Sequence, residues 1–177
     1  MAGCNTRSGN RHFRTFYDQE TVAIYLNKFK LDSIPAEIGK LSRVKRLSIS
    51  KDSSDGWTIY PPLSALSMWR QKPPFRHLPD EITRLRNLHS LILVNLDLID
   101  LPDNFDELDN LDSLDLGMNK LTISRELDVL KGLKNLKYLG LLGNAVTTTD
   151  IETLQKAIPG LIIDSDLDRG NIEPLRR

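Results

Sequence analysis

The chain has 177 residues, one cysteine, three histidines and only 6% aromatic residues, and it carries no net charge. Each shortage excludes something. With Cys4 alone, no intramolecular disulfide and no cysteine-based zinc site can form. His12, His77 and His89 lack HxxxH or HExxH spacing, so no metal motif is read from them. No apolar run approaches the ~20 residues that span a bilayer, so no transmembrane segment is expected. Lys plus Arg and Asp plus Glu both total 24, which gives no argument for nucleic acid as a partner. There is no glycine-rich phosphate loop and no G-x-S-x-G, and Cys4 has no histidine beside it. The expectation is a chain that is not an enzyme and needs no cofactor.

What remains is a composition of 40% apolar and 27% charged residues, that of one soluble globular domain. The charge is unevenly spread. Residues 1–95 hold 15 basic and 8 acidic residues, a net of +7. Residues 96–130 hold 2 and 10, a net of −8, and residues 131–177 hold 7 and 6, a net of +1.

The dominant signal is an internal repeat. Residues 111–121 read LDSLDLGMNKL and residues 136–146 read LKYLGLLGNAV, both fitting L-x-x-L-x-L-x-x-N-x-L. Residues 88–98, LHSLILVNLDL, fit with Leu96 at the Asn position, and 44–52, VKRLSISKD, fit with Asp52 there. Residues 21–31, TVAIYLNKFKL, are read with Thr21 first and Phe29 at the Asn position. A partial copy starts at Leu161. First positions at 21, 44, 88, 111, 136 and 161 are spaced by 23, 44, 23, 25 and 25, and the long step is one repeat plus 21 residues. A second half recurs as LDSIPAEIGKL (31–41), LPDEITRL (78–85) and LIDLPDNFDEL (98–108). The later segments RELDVLKGL (125–133) and TDIETLQKAI (149–158) have helical spacing. Thr149 or Asp150 is expected to cap the second of these, and Pro159-Gly160 to stop it.

These motifs resemble the leucine-rich-repeat family, in its bacterial and plant-like form with repeats of about 23 residues and an IP or LP turn. The resemblance covers residues 21–163. It implies an α/β solenoid of about six repeats, with a short curved parallel sheet on the concave face and turns and short helices on the convex face. The inward leucines would meet Ile38, Ile82 and Phe105 from the return segments. Asn119 and Asn144 would bond backbone of their own turn and of the next repeat. Phe29 would join an apolar spine, and Phe13, Phe16 and Tyr17 would cap the N-terminal end. Residues 1–20 are then tail and cap, and 164–177 a C-terminal tail.

The resemblance further implies a non-catalytic module that binds a protein partner on the concave face. Outward positions read as Val22, Ala23 and Tyr25, then Lys45, Arg46 and Ser48, then His89, Ser90 and Ile92. Asp112, Ser113 and Asp115 follow, and then Lys137, Tyr138 and Gly140. A basic, an apolar and an acidic strand thus follow in order. Tyr25, Lys45, Arg46, His89, Ile92, Asp112, Asp115, Lys137 and Tyr138 are the candidate contacts. The insertion, residues 53–74, carries Trp57, Tyr60 and Trp69, and 63–70 has the makings of a short helix between two Pro-Pro pairs. Large aromatics are frequent interface anchors, so these three are a second candidate surface, the alternative being that they pack back on the solenoid.

Residues 2–4, AGC, resemble the end of a bacterial lipoprotein signal, in which the cysteine is lipidated, although the charged and apolar regions that precede it there are absent. As written the chain reads as cytoplasmic. With an upstream signal, the alternative is an envelope lipoprotein anchored at Cys4, binding a glycan or another extracellular ligand.

Overall fold

The computed structural model describes residues 12–31, 33–51 and 75–169. Among them, six short strands form one parallel sheet in sequence order: β1 (Thr21–Tyr25), β2 (Arg46–Ser50), β3 (Ser90–Leu93), β4 (Ser113–Asp115), β5 (Tyr138–Gly140) and β6 (Ile162–Asp164). Every neighbouring pair is parallel. One strand per repeat is the expected consequence of a motif too short to bury its own apolar face, since only stacking its neighbours hides it.

The L-x-L element builds each strand. Alternate side chains of a strand point to opposite faces. Leu47, Leu91, Leu114 and Leu139 align in register and are buried, as are Ile49, Leu93, Leu116 and Leu141 two residues on. The first-position residues Val44, Leu88, Leu111 and Leu136 lie in the same core. Each buried leucine contributes about 1.5–3 kcal/mol over its exposed state.

The return segments close the core from the opposite side, as expected. Pro35 and Pro79 hold extended backbone just before the 3-10 turns Ala36–Lys40 and Asp80–Arg84. A third turn spans Phe105–Glu107. Ile38, Ile82 and Phe105 are fully buried. Successive return segments stack on one another along the solenoid. The stacking is close: a Cβ on Gly39 would lie 2.6 Å from the backbone oxygen of Glu81 in the next turn.

Without the Pro turn, the later repeats close with α1 (Ile123–Gly132) and α2 (Thr148–Ala157). The cap of α2 is Thr147, two or three residues earlier than expected. Its hydroxyl accepts from the Asp150 N–H, and the Asp150 carboxylate accepts from the Thr147 N–H, a reciprocal capping box. Ser124 donates to Asp150 and ties α1 to α2. The helix ends at Ala157, just before Pro159 and Gly160. A short helix, α3 (Asp166–Arg169), follows β6.

The N-terminal end is closed by an aromatic cluster. Phe13 is fully buried, and Phe29 meets it edge-to-face at 5.6 Å, with Phe16 6.3 Å from Phe29. Phe29 therefore serves this cap. It does not stand at an Asn position, because the first repeat is in a different register from the expected one. Thr21 pairs with Arg46, not with Val44. Val22 and Ile24 are consequently the inward pair, Val22 is buried and not on the concave face, and Asn27 takes the Asn position. The last repeat also shifts, since Tyr138 pairs with Ile162 and Leu139 with Ile163.

The two asparagines of the later repeats bond backward, not to the next repeat. Asn119 is 4% exposed. Its Oδ1 accepts from the N–H groups of Leu96 and Leu98, and its Nδ2 donates to Leu93, Leu116 and Gly117 carbonyls. Asn144 accepts from the Leu121 N–H and donates to Leu116 and Leu141 carbonyls. Each thus stitches its own turn to the preceding repeat. The residue before each adopts a left-handed conformation: Met118 at φ 57° and Gly143 at φ 71°, with Asn95 at φ 57° in the corresponding place before Leu96.

Candidate protein-docking face

The strand register fixes which outward side chains stand side by side. One row across the sheet is Thr21, Arg46, Ser90, Ser113, Tyr138 and Ile162. The next is Ala23, Ser48, Ile92, Asp115, Gly140 and Asp164. A border row lies just before the strands. There the Lys45 carbonyl accepts from the His89 N–H at 2.8 Å, the His89 carbonyl from Asp112 at 2.9 Å and the Asp112 carbonyl from Lys137 at 2.8 Å.

The structure therefore brings Arg46, Ile92, Asp115 and Tyr138 onto one face, with Lys45, His89, Asp112 and Lys137 aligned in a row at the start of the strands. Basic β2, apolar β3 and acidic β4 are adjacent, in the order read from the sequence. Arg46, His89 and Lys137 are exposed, while Asp112, Asp115 and Tyr138 are half-buried. Lys45 pairs with Glu20 at 3.0 Å and holds that carboxyl below the usual range. The His89 ring nitrogen Nδ1 is bonded to the Asn87 carbonyl at 2.8 Å. Tyr25 stands apart, at the far end of the edge strand β1, where the Lys28 ammonium lies 4.5 Å from its ring centre.

Four outward residues escaped the sequence reading, the first being Thr21, hidden by the shifted first repeat. Ile162 and Asp164 were hidden by the shifted last repeat. Met118, 60% exposed, follows β4 in the turn and has no periodic signal. Ile92 and Ile162, at 39% and 66% exposure, are large apolar side chains left open on the sheet face.

Trp57, Tyr60 and Trp69, with the rest of the insertion, and Cys4 lie outside the described residues. The points where the insertion leaves and rejoins the sheet are described. Lys51, just after β2, pairs with Asp97, and Lys120 reaches the same carboxylate at 3.0 Å. Hydrogen bonds from the two ammonium groups, Lys51 first, hold the Asp97 carboxyl below its ordinary value despite partial burial. Phe75 rejoins by donating its N–H to the Leu96 carbonyl at 3.2 Å. Among the described residues, no group of three His, Cys, Asp or Glu is set to hold a metal ion, and no helix is long and apolar enough to cross a membrane.

In-register repeats, one parallel strand each, a leucine core and an asparagine stitch define the class: the chain is a leucine-rich-repeat solenoid. No family profile matches its sequence, and no curated protein matches it. Among solved structures it is similar to a leucine-rich-repeat protein from Leptospira interrogans, with 27% identity and a TM-score of 0.46 over 74% of this chain and 33% of that one. It is similar to the ectodomain of the receptor kinase SOBIR1 from Arabidopsis thaliana, with 24% identity and a TM-score of 0.49 over 75% and 60%. An internalin from Listeria monocytogenes gives 17% and 0.45 over 75% and 38%. The chain thus spans between a third and three-fifths of the length of these proteins.

Proposed function

We propose that the chain is a non-catalytic protein–protein interaction module that docks a protein partner on the concave face of its sheet. The observation that carries this is the contrast between the two sides of the solenoid. The convex side is closed by stacked turns and helices, whereas the sheet face has no described element over it and leaves Ile92 and Ile162 open among polar side chains. Apolar side chains framed by polar ones are the usual make-up of a docking patch. Parallel strands hold the outward side chains in fixed rows, so a partner meets a preorganised surface and little ordering entropy is lost on binding.

The test is affinity capture from lysate of the source organism with wild type, Lys45→Ala/Arg46→Ala and Ile92→Asp/Tyr138→Ala, all first shown to melt like wild type. A protein retained by wild type and lost by either concave pair supports the reading. A protein retained equally by all three places the docking surface elsewhere.

A further inference from the structure

From the charge and shape of the face over β3–β6 we infer that the partner presents an extended, basic segment in which a lysine or arginine stands three residues from a bulky apolar side chain. This rests on the concave face being the docking surface. One row carries the argument: Ile92, Asp115, Gly140 and Asp164 are register neighbours on four successive strands. An apolar side chain is followed by a carboxylate, then by a position with no side chain, then by a second carboxylate.

Asp115 is held in place, because its Oδ1 accepts from the Gly117 N–H at 2.9 Å. It leans over the next strand and fills the space above Gly140, where a Cβ would lie 2.6 Å from that oxygen and 3.3 Å from the Tyr138 hydroxyl. Gly140 is thus buried beneath a carboxylate and a phenol, and the Asp115 carboxylate overlies β5. Asp112 immediately precedes β4, and among the described residues no ion pair joins Asp112 or Asp115 to a cation. These residues belong to the stretch 96–130 with its net charge of −8. A cation set against the outer side of the Asp115 carboxylate, where it overlies Gly140, meets its negative charge, and a long Lys or Arg stem lies along Tyr138.

The spacing follows from the sheet. Ile92 and Gly140 are two strands apart, which is about 9.6 Å at ~4.8 Å per strand. A polyproline-II segment repeats its face every three residues, about 9.3 Å at ~3.1 Å per residue, and needs no backbone pairing with the sheet beneath it. Such a segment, lying across the strands, sets an apolar side chain against Ile92 and a cation against the Asp115 carboxylate above Gly140 together.

The experiment is selection of a random peptide library displayed on phage against the full chain, followed by fluorescence polarisation of the selected peptides on three proteins. These are wild type, Asp115→Asn, which keeps the oxygen that the Gly117 N–H needs, and Ile92→Lys. The expected peptides carry apolar-x-x-Lys/Arg, bind at least ~5-fold more weakly to Asp115→Asn and lose affinity as salt rises. Peptides that need Ile92 but are acidic or neutral, and bind Asp115→Asn like wild type, overturn this inference and leave the docking face standing. If no selected peptide is weakened by Ile92→Lys, the inference and the docking face both fall.

Discussion

Replacing Asn119 by alanine tests the stitch between repeats most sharply. The side chain makes two accepted and three donated bonds to backbone, in a site 4% exposed. Alanine fills less space and leaves the Leu96 and Leu98 N–H groups without a partner. A buried polar group that loses its partner costs about 1–3 kcal/mol. Two such donors, with the Leu93 and Leu116 carbonyls weakened as well, put the loss at about 3–5 kcal/mol. That is a large share of the ~5–15 kcal/mol that holds a typical domain together. Asn119→Asp is expected to be at least as damaging, because it turns an oxygen toward three carbonyls. Asn144→Ala is the internal comparison. Asn144 is half-buried and serves one N–H, so about 1–2 kcal/mol is expected. Urea denaturation with linear extrapolation reads all three. A loss below ~1 kcal/mol for Asn119→Ala, or one no greater than that of Asn144→Ala, refutes the reasoning.

Gly39→Ala brings a methyl group to 2.6 Å from the Glu81 backbone oxygen, and the stacked turns must part, so a loss of about 1–3 kcal/mol is expected in the same assay. Met118→Gly relieves a side chain held at φ 57° and 60% exposed, and is expected to raise stability by about 0.5–1 kcal/mol, read as a higher melting temperature. Glu126, buried in α1 and accepting from the Leu101 N–H, has its carboxyl raised by desolvation and, secondarily, by Asp100 and Asp103. A folded-state value above the unfolded one means that stability falls as pH rises from the ordinary carboxylate range through the raised value. Glu126→Gln keeps the acceptor and removes the charge, so it is expected to melt above wild type at pH 7, with the difference closing toward pH 4.

The middle of the solenoid was legible because its leucines are unambiguous. At 88, 111 and 136 each first-position leucine is followed by two more at fixed offsets, and a shift by one would turn the inward set outward. The ends were less legible. In TVAIYLNKFKL the apolar residues at 22, 24, 26, 29 and 31 fit more than one frame. Gln19 occupies the first position where a leucine would have settled it, because the Phe13 cluster covers that end instead. At the other end, Ile158, Leu161 and Ile163 are all buried, and the turn at Pro159-Gly160 shortens the repeat by a residue. A leucine at 161 therefore looks like a first position without being one. The concave residues of β2–β5 followed once those frames were right. The pairing of Asp115 with the bare Gly140 was not legible, because it depends on cross-strand register and not on the spacing within either repeat.

Site-directed photocrosslinking tests the docking face most directly. A photoreactive amino acid placed at Ser48 or Ser113, both on the sheet face, is compared with one at Gln155 on the exposed side of α2. Irradiation in lysate of the source organism is predicted to join one protein to the Ser48 and Ser113 positions and none to Gln155. Crosslinks that form from Gln155 and not from the sheet positions would contradict the account.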